Sequence, residues 1–351
     1  MIDHEIYMRR AIELAKLGTG NVAPNPMVGA VLVYNDKIIG EGYHEKFGES
    51  HAEVNCINSV VASDKQFIES STLYVSLEPC AHFGKTPPCA DLITQQHIKH
   101  VVIGCRDSFE HVNGAGIQKL IAANLKVDIG ILEKECKNLN KSFFTFHNRK
   151  RPYIILKWAQ SNDGFIAGEE LGKTKISNIY TDRLVHKWRS QEGAILIGFN
   201  TVRADNPTLT TRNWIGKNPT RVIIDESLTL SKDFKVFNTE ADSIIVNGML
   251  SVVENNVEFY KIQQGQSAIE AVLECLYKRQ INSVIIEGGS KTLQHFIDCS
   301  MWDEARIITN TVLFLNKAVK APVLTDKKLI TSFNILSDRI EYFQKNYNDS
   351  L

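Results

Sequence analysis

The chain has 351 residues, 43% hydrophobic and 23% charged, enough for two domains of roughly 150 to 200 residues, each with its own core. Forty Lys plus Arg balance forty Asp plus Glu, so the charge excess that non-specific nucleic-acid or membrane binding relies on is missing. With no apolar run long enough to span a bilayer and a start, "MIDHEIYMRRAIELAK", too charged for a secretory signal, a cytoplasmic protein acting on a small molecule is expected, with no nucleic-acid or membrane partner.

Apolar residues recur at helical spacing from Asp3 to Leu17, with Asp3 placed to cap the start and Gly18 to end the helix. Two β-branched runs then flank Asn35-Asp36, a hairpin signal. A helix opening at His51, a strand "STLYVSLEP", a helix from Cys89 to His97, a strand "HVVIG", a helix from Ile117 to Ala123, a strand "KVDIGI" and a helix through Leu139 follow. This order predicts an α/β layered unit around a central sheet. The basic segment "HNRKRP", His147 to Pro152, ends in a helix-hostile proline and predicts a domain boundary, with domains 1–147 and 152–351. Beyond it, strands "YIILKWA", "AILIGF", "TRVIIDE", "SIIVN" and "SVIIEGG" alternate with helices from Thr181 to Arg189, from Ser267 to Arg279 and at Lys291. That alternation predicts a second, mostly parallel sheet, finished by strands near "EARIITNTVLF". Thr331 to Leu351 carries no clear pattern.

Seven cysteines spread over a long chain argue against a disulfide framework and leave metal binding or burial. "SHAEV" supplies an imidazole at His51 and a carboxylate at Glu53, and "PCAHFGKTPPC" supplies thiols at Cys80 and Cys89. Hydrolytic deamination of an aminopyrimidine uses three protein ligands on zinc with one open position, plus a nearby non-ligand carboxylate as proton shuttle. H-A-E and P-C match the zinc-deaminase signature, although eight residues separate the two cysteines instead of two. Any one of these residues alone reads as well as a helix-start histidine or a buried apolar cysteine; the four in this order favour the metal set. His44 and His82 are candidates for a fourth ligand, which would make the site a closed, structural one. Cys56, Cys105, Cys136, Cys275 and Cys299 lack such partners. In the second half, "IIEGGSKTLQHF" ends a strand in a carboxylate, follows it with Gly288 and Gly289, and opens a helix, a layout suited to a phosphate. "GTGNVA", Gly18 to Ala23, matches a dinucleotide fingerprint but follows a helix and leads into a proline, so it is rejected.

"PNPMVGAVLV", "GEGYHEKFGESHAEV" and "TLYVSLEPCAHFGKTPPCADLI" resemble the deaminase half of the RibD family of bifunctional riboflavin-biosynthesis proteins, in which the cysteine pair is spaced as here. The resemblance implies a cytidine-deaminase-like α/β/α fold, one Zn2+ per chain on His51, Cys80 and Cys89, and Glu53 as the catalytic proton carrier. Asn25 and the loop Ala81 to Pro88 would line the pocket for a phosphoribosylaminopyrimidine. "DSFEHVNGAG", Asp107 to Gly116, departs from the family pattern by losing two prolines.

"LKWAQSNDGFIAG", "AILIGFNTVRADNPTLTTR" and "VIIEGGSKTL" resemble the family's reductase half, which implies a dihydrofolate-reductase-like α/β fold that uses NADPH. Carried position by position, the resemblance implies cofactor contacts at Ala159, Lys175, Thr201, Asp205, Gly289, Ser290, Lys291, Thr292, Leu293, Gln294 and His295. It likewise implies substrate contacts at Lys173, Arg189, Leu209, Arg212 and Glu287. Two arginines suit a phosphorylated sugar because a guanidinium offers paired donors to phosphate oxygens. "KTKISN" departs from the family, with Lys173, Lys175 and Asn178 where Ser, Trp and Ser are usual, and Glu226 replaces a hydroxyl residue. Lys157, on the first strand, is placed to polarise the sugar carbon or to face solvent. The implied function is deamination of 2,5-diamino-6-(5-phosphoribosylamino)pyrimidin-4(3H)-one, followed by NADPH reduction of the ribosyl group to ribityl. The alternative is a deaminase whose second domain serves only binding or assembly. A homo-oligomer is expected.

Overall fold

The computed structural model describes residues 3–83, 87–107, 114–168, 175–316 and 318–346. The chain divides into two compact units, Met1–Lys150 and Arg151–Leu351.

The first unit runs α1 (His4–Lys16), β1 (Gly29–Tyr34), β2 (Lys37–Tyr43), α2 (Ala52–Asn58), β3 (Thr72–Leu77), α3 (Cys89–Gln95), β4 (His100–Cys105), α4 (Ala115–Ala122), β5 (Lys126–Ile129), α5 (Glu133–Leu139) and α6 (Lys141–Arg149). The Asp3 side chain accepts a hydrogen bond from Glu5 N and caps α1. Asn35 and Asp36 both adopt positive φ, which lets β1 and β2 close as a tight antiparallel hairpin. The sheet order is β2-β1-β3-β4-β5, with β3, β4 and β5 parallel. Alternation along the strands feeds two cores. Ala30, Leu32, Val75 and Ile103 pack with residues of α2, α3 and α4, while Val31, Val33, Tyr74 and Val102 pack with α1 and with Cys136 of α5. The result is an α/β/α sandwich. Helix α6 carries the first unit on to Arg149, past the His147 limit read from the sequence.

The second unit runs β6 (Tyr153–Ser161), β7 (Phe165–Gly168), α7 (Ile179–Gln191), β8 (Ala194–Gly198), α8 (Phe199–Asp205), β9 (Thr220–Ile224), β10 (Ser243–Asn247), β11 (Val252–Glu254) and β12 (Val257–Lys261). It continues with α9 (Ala268–Lys278), β13 (Ser283–Ile286), α10 (Ser290–Asp298), β14 (Glu304–Asn310), β15 (Ala318–Lys320), β16 (Lys327–Ile335) and β17 (Asp338–Lys345). Ten strands form one sheet in the order β11-β12-β10-β9-β8-β13-β6-β14-β17-β16. Its centre is parallel from β12 to β14, and both ends are antiparallel. Ser267 and Glu270 form a reciprocal capping box that starts α9. Helices α9 and α10 cover one face of the sheet, and α7 covers the other. Strands β16 and β17, not foreseen from the sequence, fill the C-terminal region.

Candidate active sites

In the first unit, His51 is the N-cap residue of α2 and leaves its imidazole free of capping. Cys80 follows the end of β3, and Cys89 opens α3. The His51 Nδ1, Cys80 Sγ and Cys89 Sγ atoms all lie within 4.8 Å of one another. Nδ1 is 3.6 Å from the Cys80 sulfur and 3.3 Å from that of Cys89. Ligands at tetrahedral corners around zinc, with Zn–S of about 2.3 Å and Zn–N of about 2.0 Å, stand roughly 3.5 Å apart. The donor set and its spacing therefore fit zinc. A hydrogen bond from Cys89 and the His51 ring hold the Cys80 thiol well below its usual range, whereas the Cys80 sulfur and burial push Cys89 up. Two adjacent thiolates repel, and a dication is the charge that lets both ionise.

Glu53, 3% exposed, sits in the first turn of the same helix. Burial, then the Cys80 thiolate, push its carboxyl up to about 6. Neither proposed fourth ligand joins the set. His44 is buried and holds Asn25 Nδ2 at 3.2 Å through Nε2 and the Ser50 carbonyl at 3.0 Å through Nδ1; His82 is not in the cluster, which among the described residues has three members. Asn25 is thus fixed through a histidine whose ring stands edge-on to that of His51, 5.5 Å between centroids. Gly84, Lys85 and Thr86 of the Ala81–Pro88 loop, and residues 108–113, lie outside the described residues.

In the second unit, the chain leaves β8 toward β9 on one side of the sheet and leaves β13 toward β14 on the other. A crevice opens at such a switch point, at the carboxyl ends of the strands. Its floor is main chain: a Cβ on Gly288 would stand 2.6 Å from Ile197 Cα and 2.8 Å from Gly198 N. Thr201 Oγ1 accepts from Gly289 N at 2.8 Å, tying α8 to the turn before α10. The first amides of α10, at Ser290, Lys291 and Thr292, have no partner within the helix and suit a pyrophosphate, so the cradle fits a dinucleotide. Within the expected cofactor segment, Leu293 packs into the core, Gln294 is tied to Asp298 and to Val323 N, and Lys291 and His295 are exposed. Ala159 lies on β6 beside Ile308 of β14, and Asp205 ends α8.

Of the expected substrate contacts, Glu287 follows β13 and takes both nitrogens of the Arg189 fork, Nε at 2.8 Å and Nη2 at 2.7 Å, plus Lys157 Nζ at 3.4 Å. Burial works against this carboxylate, but Arg189 and then Lys157 outweigh it and hold its pKa at about 2. Lys157 therefore pairs inside the unit and does not face solvent. Leu209 is buried with positive φ. Arg212 is exposed and donates to Thr208 Oγ1 at 3.0 Å. It lines an open cavity of about 770 Å³ with Tyr180, Arg183, Asn213 and Trp214, four residues that sequence reasoning missed because all of them fall outside any recognised motif. Lys175 is exposed and meets Asp182 at 3.8 Å, while Lys173 lies outside the described residues. Asn178 is the N-cap of α7: its side chain accepts from Tyr180 N and Thr181 N. Its departure from the family's serine is thus a helix-start substitution of similar chemistry.

The cytidine and deoxycytidylate deaminase zinc-binding region matches residues 1–105, and the RibD C-terminal domain matches residues 152–330. The riboflavin biosynthesis protein RibD of Aquifex aeolicus is 39% identical over 85% of this chain and 84% of its own length. The chain belongs to the RibD family. RibD of Bacillus amyloliquefaciens is 38% identical over 86% of this chain and 82% of its own length. The crystal structure of a diaminohydroxyphosphoribosylaminopyrimidine deaminase/5-amino-6-(5-phosphoribosylamino)uracil reductase from Thermotoga maritima is similar, with a TM-score of 0.89 at 38% identity, covering 98% of this chain and 99% of that one. Acinetobacter baumannii RibD superposes with a TM-score of 0.88 at 31% identity, with the same coverage. As a RibD, the chain joins a zinc-dependent deaminase domain to an NADPH-dependent reductase domain and works in riboflavin biosynthesis. The reading of the second domain as a mere binding module finds no support in these relatives.

Proposed function

We propose that His51, Cys80 and Cys89 hold the zinc, that Glu53 carries the proton, and that the first unit deaminates a phosphoribosylaminopyrimidine whose ribosyl group the second unit then reduces. The observation that carries this reading is the three-donor cluster with a buried carboxyl two residues from its histidine. Bound there, zinc supplies a Lewis acid that makes water a nucleophile near neutral pH. Glu53, raised to about 6 by burial, accepts a proton from the attacking water and delivers it to the departing amine, so that ammonia leaves and a ring carbonyl remains. Asn25, fixed by His44, orients the pyrimidine.

In the second unit, NADPH supplies the hydride. The α10 amides and Thr201 hold its phosphates at the main-chain floor, with Ala159, Asp205 and Lys175 at the edges. Arg212 and the cavity beside it receive the sugar phosphate, and Lys157, clamped by Glu287, lies at the sugar. Arg189 supports that site by fixing Glu287 and by donating to the Thr210 carbonyl at 3.4 Å; its paired donors are committed, which leaves the phosphate to Arg212 and its neighbours. Incubating the purified protein with the diaminopyrimidine and NADPH tests the whole reading: ammonia release and NADPH oxidation are expected, and the absence of both would overturn it.

Two coarser expectations stand with it. No helix among the described residues is long and apolar enough to cross a membrane, which supports a cytoplasmic location, checked by fractionation. Strand β16 is an exposed sheet edge of nine residues that presents Leu329, Ile330 and Phe333. Such an edge invites pairing with a second chain, which supports a homo-oligomer, checked by light scattering.

A further inference from the structure

Glu78 lies between the last residue of β3 and the turn that carries Cys80, and it is 4% exposed. Among the described residues its carboxylate meets no cation. It is satisfied by four main-chain amides instead. Oε2 accepts from Asp107 N at 3.2 Å and Gly114 N at 3.1 Å, and Oε1 accepts from Gly116 N at 3.0 Å and Ile117 N at 3.2 Å. The last three donors belong to the start of α4, where unpaired amides and the helix dipole favour a negative charge. The same short segment is gripped from its other end. The Cys80 carbonyl accepts from Ala90 N at 3.1 Å, and the Cys80 sulfur accepts from Cys89 N at 3.3 Å. Between them, α4 packs so closely on Pro79 that a Cβ on Gly116 would stand 1.9 Å from the Pro79 carbonyl oxygen. The turn Glu78–Pro79–Cys80 is therefore held between the first turn of α4 and the first turn of α3, and only the second hold involves a metal ligand directly.

We propose that Glu78 is a positioning residue for the metal centre: its carboxylate fixes the Cys80 turn against α4, sets where the Cys80 thiolate stands relative to Cys89 and His51, and thereby slows release of the metal. This rests on the reading of His51, Cys80 and Cys89 as zinc ligands. Glu78 touches neither the metal set nor the reacting atoms, so its effect passes through Cys80. Partners that orient ligands in this way are worth about 10- to 100-fold in metal affinity.

The test is the rate at which the zinc-loaded full-length protein gives up its metal to a coloured chelator, together with the visible spectrum of the cobalt(II)-substituted protein. Glu78→Gln keeps one acceptor oxygen but turns an amide N-H₂ toward main-chain donors. It is expected to release zinc at least about tenfold faster and to shift the cobalt spectrum, while NADPH oxidation with the already deaminated pyrimidine stays at the unaltered rate. Gly116→Ala, which pushes on Pro79 from the α4 side, is expected to act in the same direction without changing any acceptor. Leu120→Ala, a core truncation in α4, destabilises the unit without touching the turn and is expected to leave the release rate unchanged. If Glu78→Gln and Gly116→Ala both release zinc at the unaltered rate, or if Leu120→Ala accelerates release as much as they do, the proposal is overturned. Failure of the unaltered chain to bind zinc would instead overturn the ligand reading beneath it.

Discussion

Arg189 and Glu287, 98 positions apart in the chain, form a two-pronged ion pair at the carboxyl end of β13, with Lys157 as a third, weaker partner. The side chains are 13% and 7% exposed, so the pair is shielded from solvent. Removing the carboxylate leaves two cations without compensation in a shielded place. Glu287→Ala is expected to destabilise the second unit by about 3–5 kcal/mol and to abolish NADPH oxidation, while zinc content and ammonia release persist. Thermal unfolding followed alongside both activities checks this.

The same pair sets an acid limit. Its folded-state pKa of about 2 lies below the unfolded value of about 4.3, so the stabilisation is complete above the unfolded value and is lost as pH falls toward 2. Urea midpoints of the unaltered protein are expected to drop over that window. Those of Glu287→Gln, which cannot ionise, are expected to drop less.

His186 adds a titration in a separate window. It lies on α7 one turn before Arg189, is buried, and leaves Nδ1 without a partner. Burial first, then Arg189 and Arg212, push its pKa down to about 4. The unfolded chain takes up this proton near pH 6.5 and the folded one does not, so stability is full above about 6.5 and declines toward 4. Urea midpoints should fall as pH drops from about 6.5 toward 4, and His186→Asn should flatten that part of the curve.

The zinc site and its carboxylate separate cleanly by substitution. Cys80→Ser is expected to lose bound zinc and ammonia release together. Glu53→Gln is expected to keep zinc but to lower the deamination rate by about 10²- to 10⁴-fold. Both should oxidise NADPH normally when given the deaminated pyrimidine; metal analysis and the two assays distinguish them.

The cavity beside Arg212 gives a further handle. Arg183 lines it and has no carboxylate partner among the described residues. Arg183→Gln is expected to raise the reductase KM about tenfold, equivalent to ~1.4 kcal/mol, for the phosphorylated substrate. An unphosphorylated analogue should show no such change.

Much of the fold was legible because its signals are local. The Asn35-Asp36 turn, the Ser267–Glu270 capping box and the Asp3 cap are each written within four residues. The metal-ligand candidates stood out because a histidine, a carboxylate and two cysteines rarely occur in that order. What stayed hidden depends on distant partners. Glu78 reads as the polar end of a strand until its four amides, 29 to 39 positions away, are seen. Arg189 reads as a guanidinium for the substrate's phosphate until Glu287 is seen to take its paired donors. Strands β16 and β17 escaped because most of β16 is exposed on both faces, which erases the alternation that marks a strand.

The crevice between β8 and β13 has a floor of backbone, with Gly288 pressed on Ile197 and Gly198. A ligand resting there meets peptide groups, which no substitution of side chains removes. Changes in the surrounding residues leave that backbone floor in place, whereas a single added methyl group at Gly288 would strike Ile197 Cα and Gly198 N and push the end of β13 away from β8, deforming the floor itself.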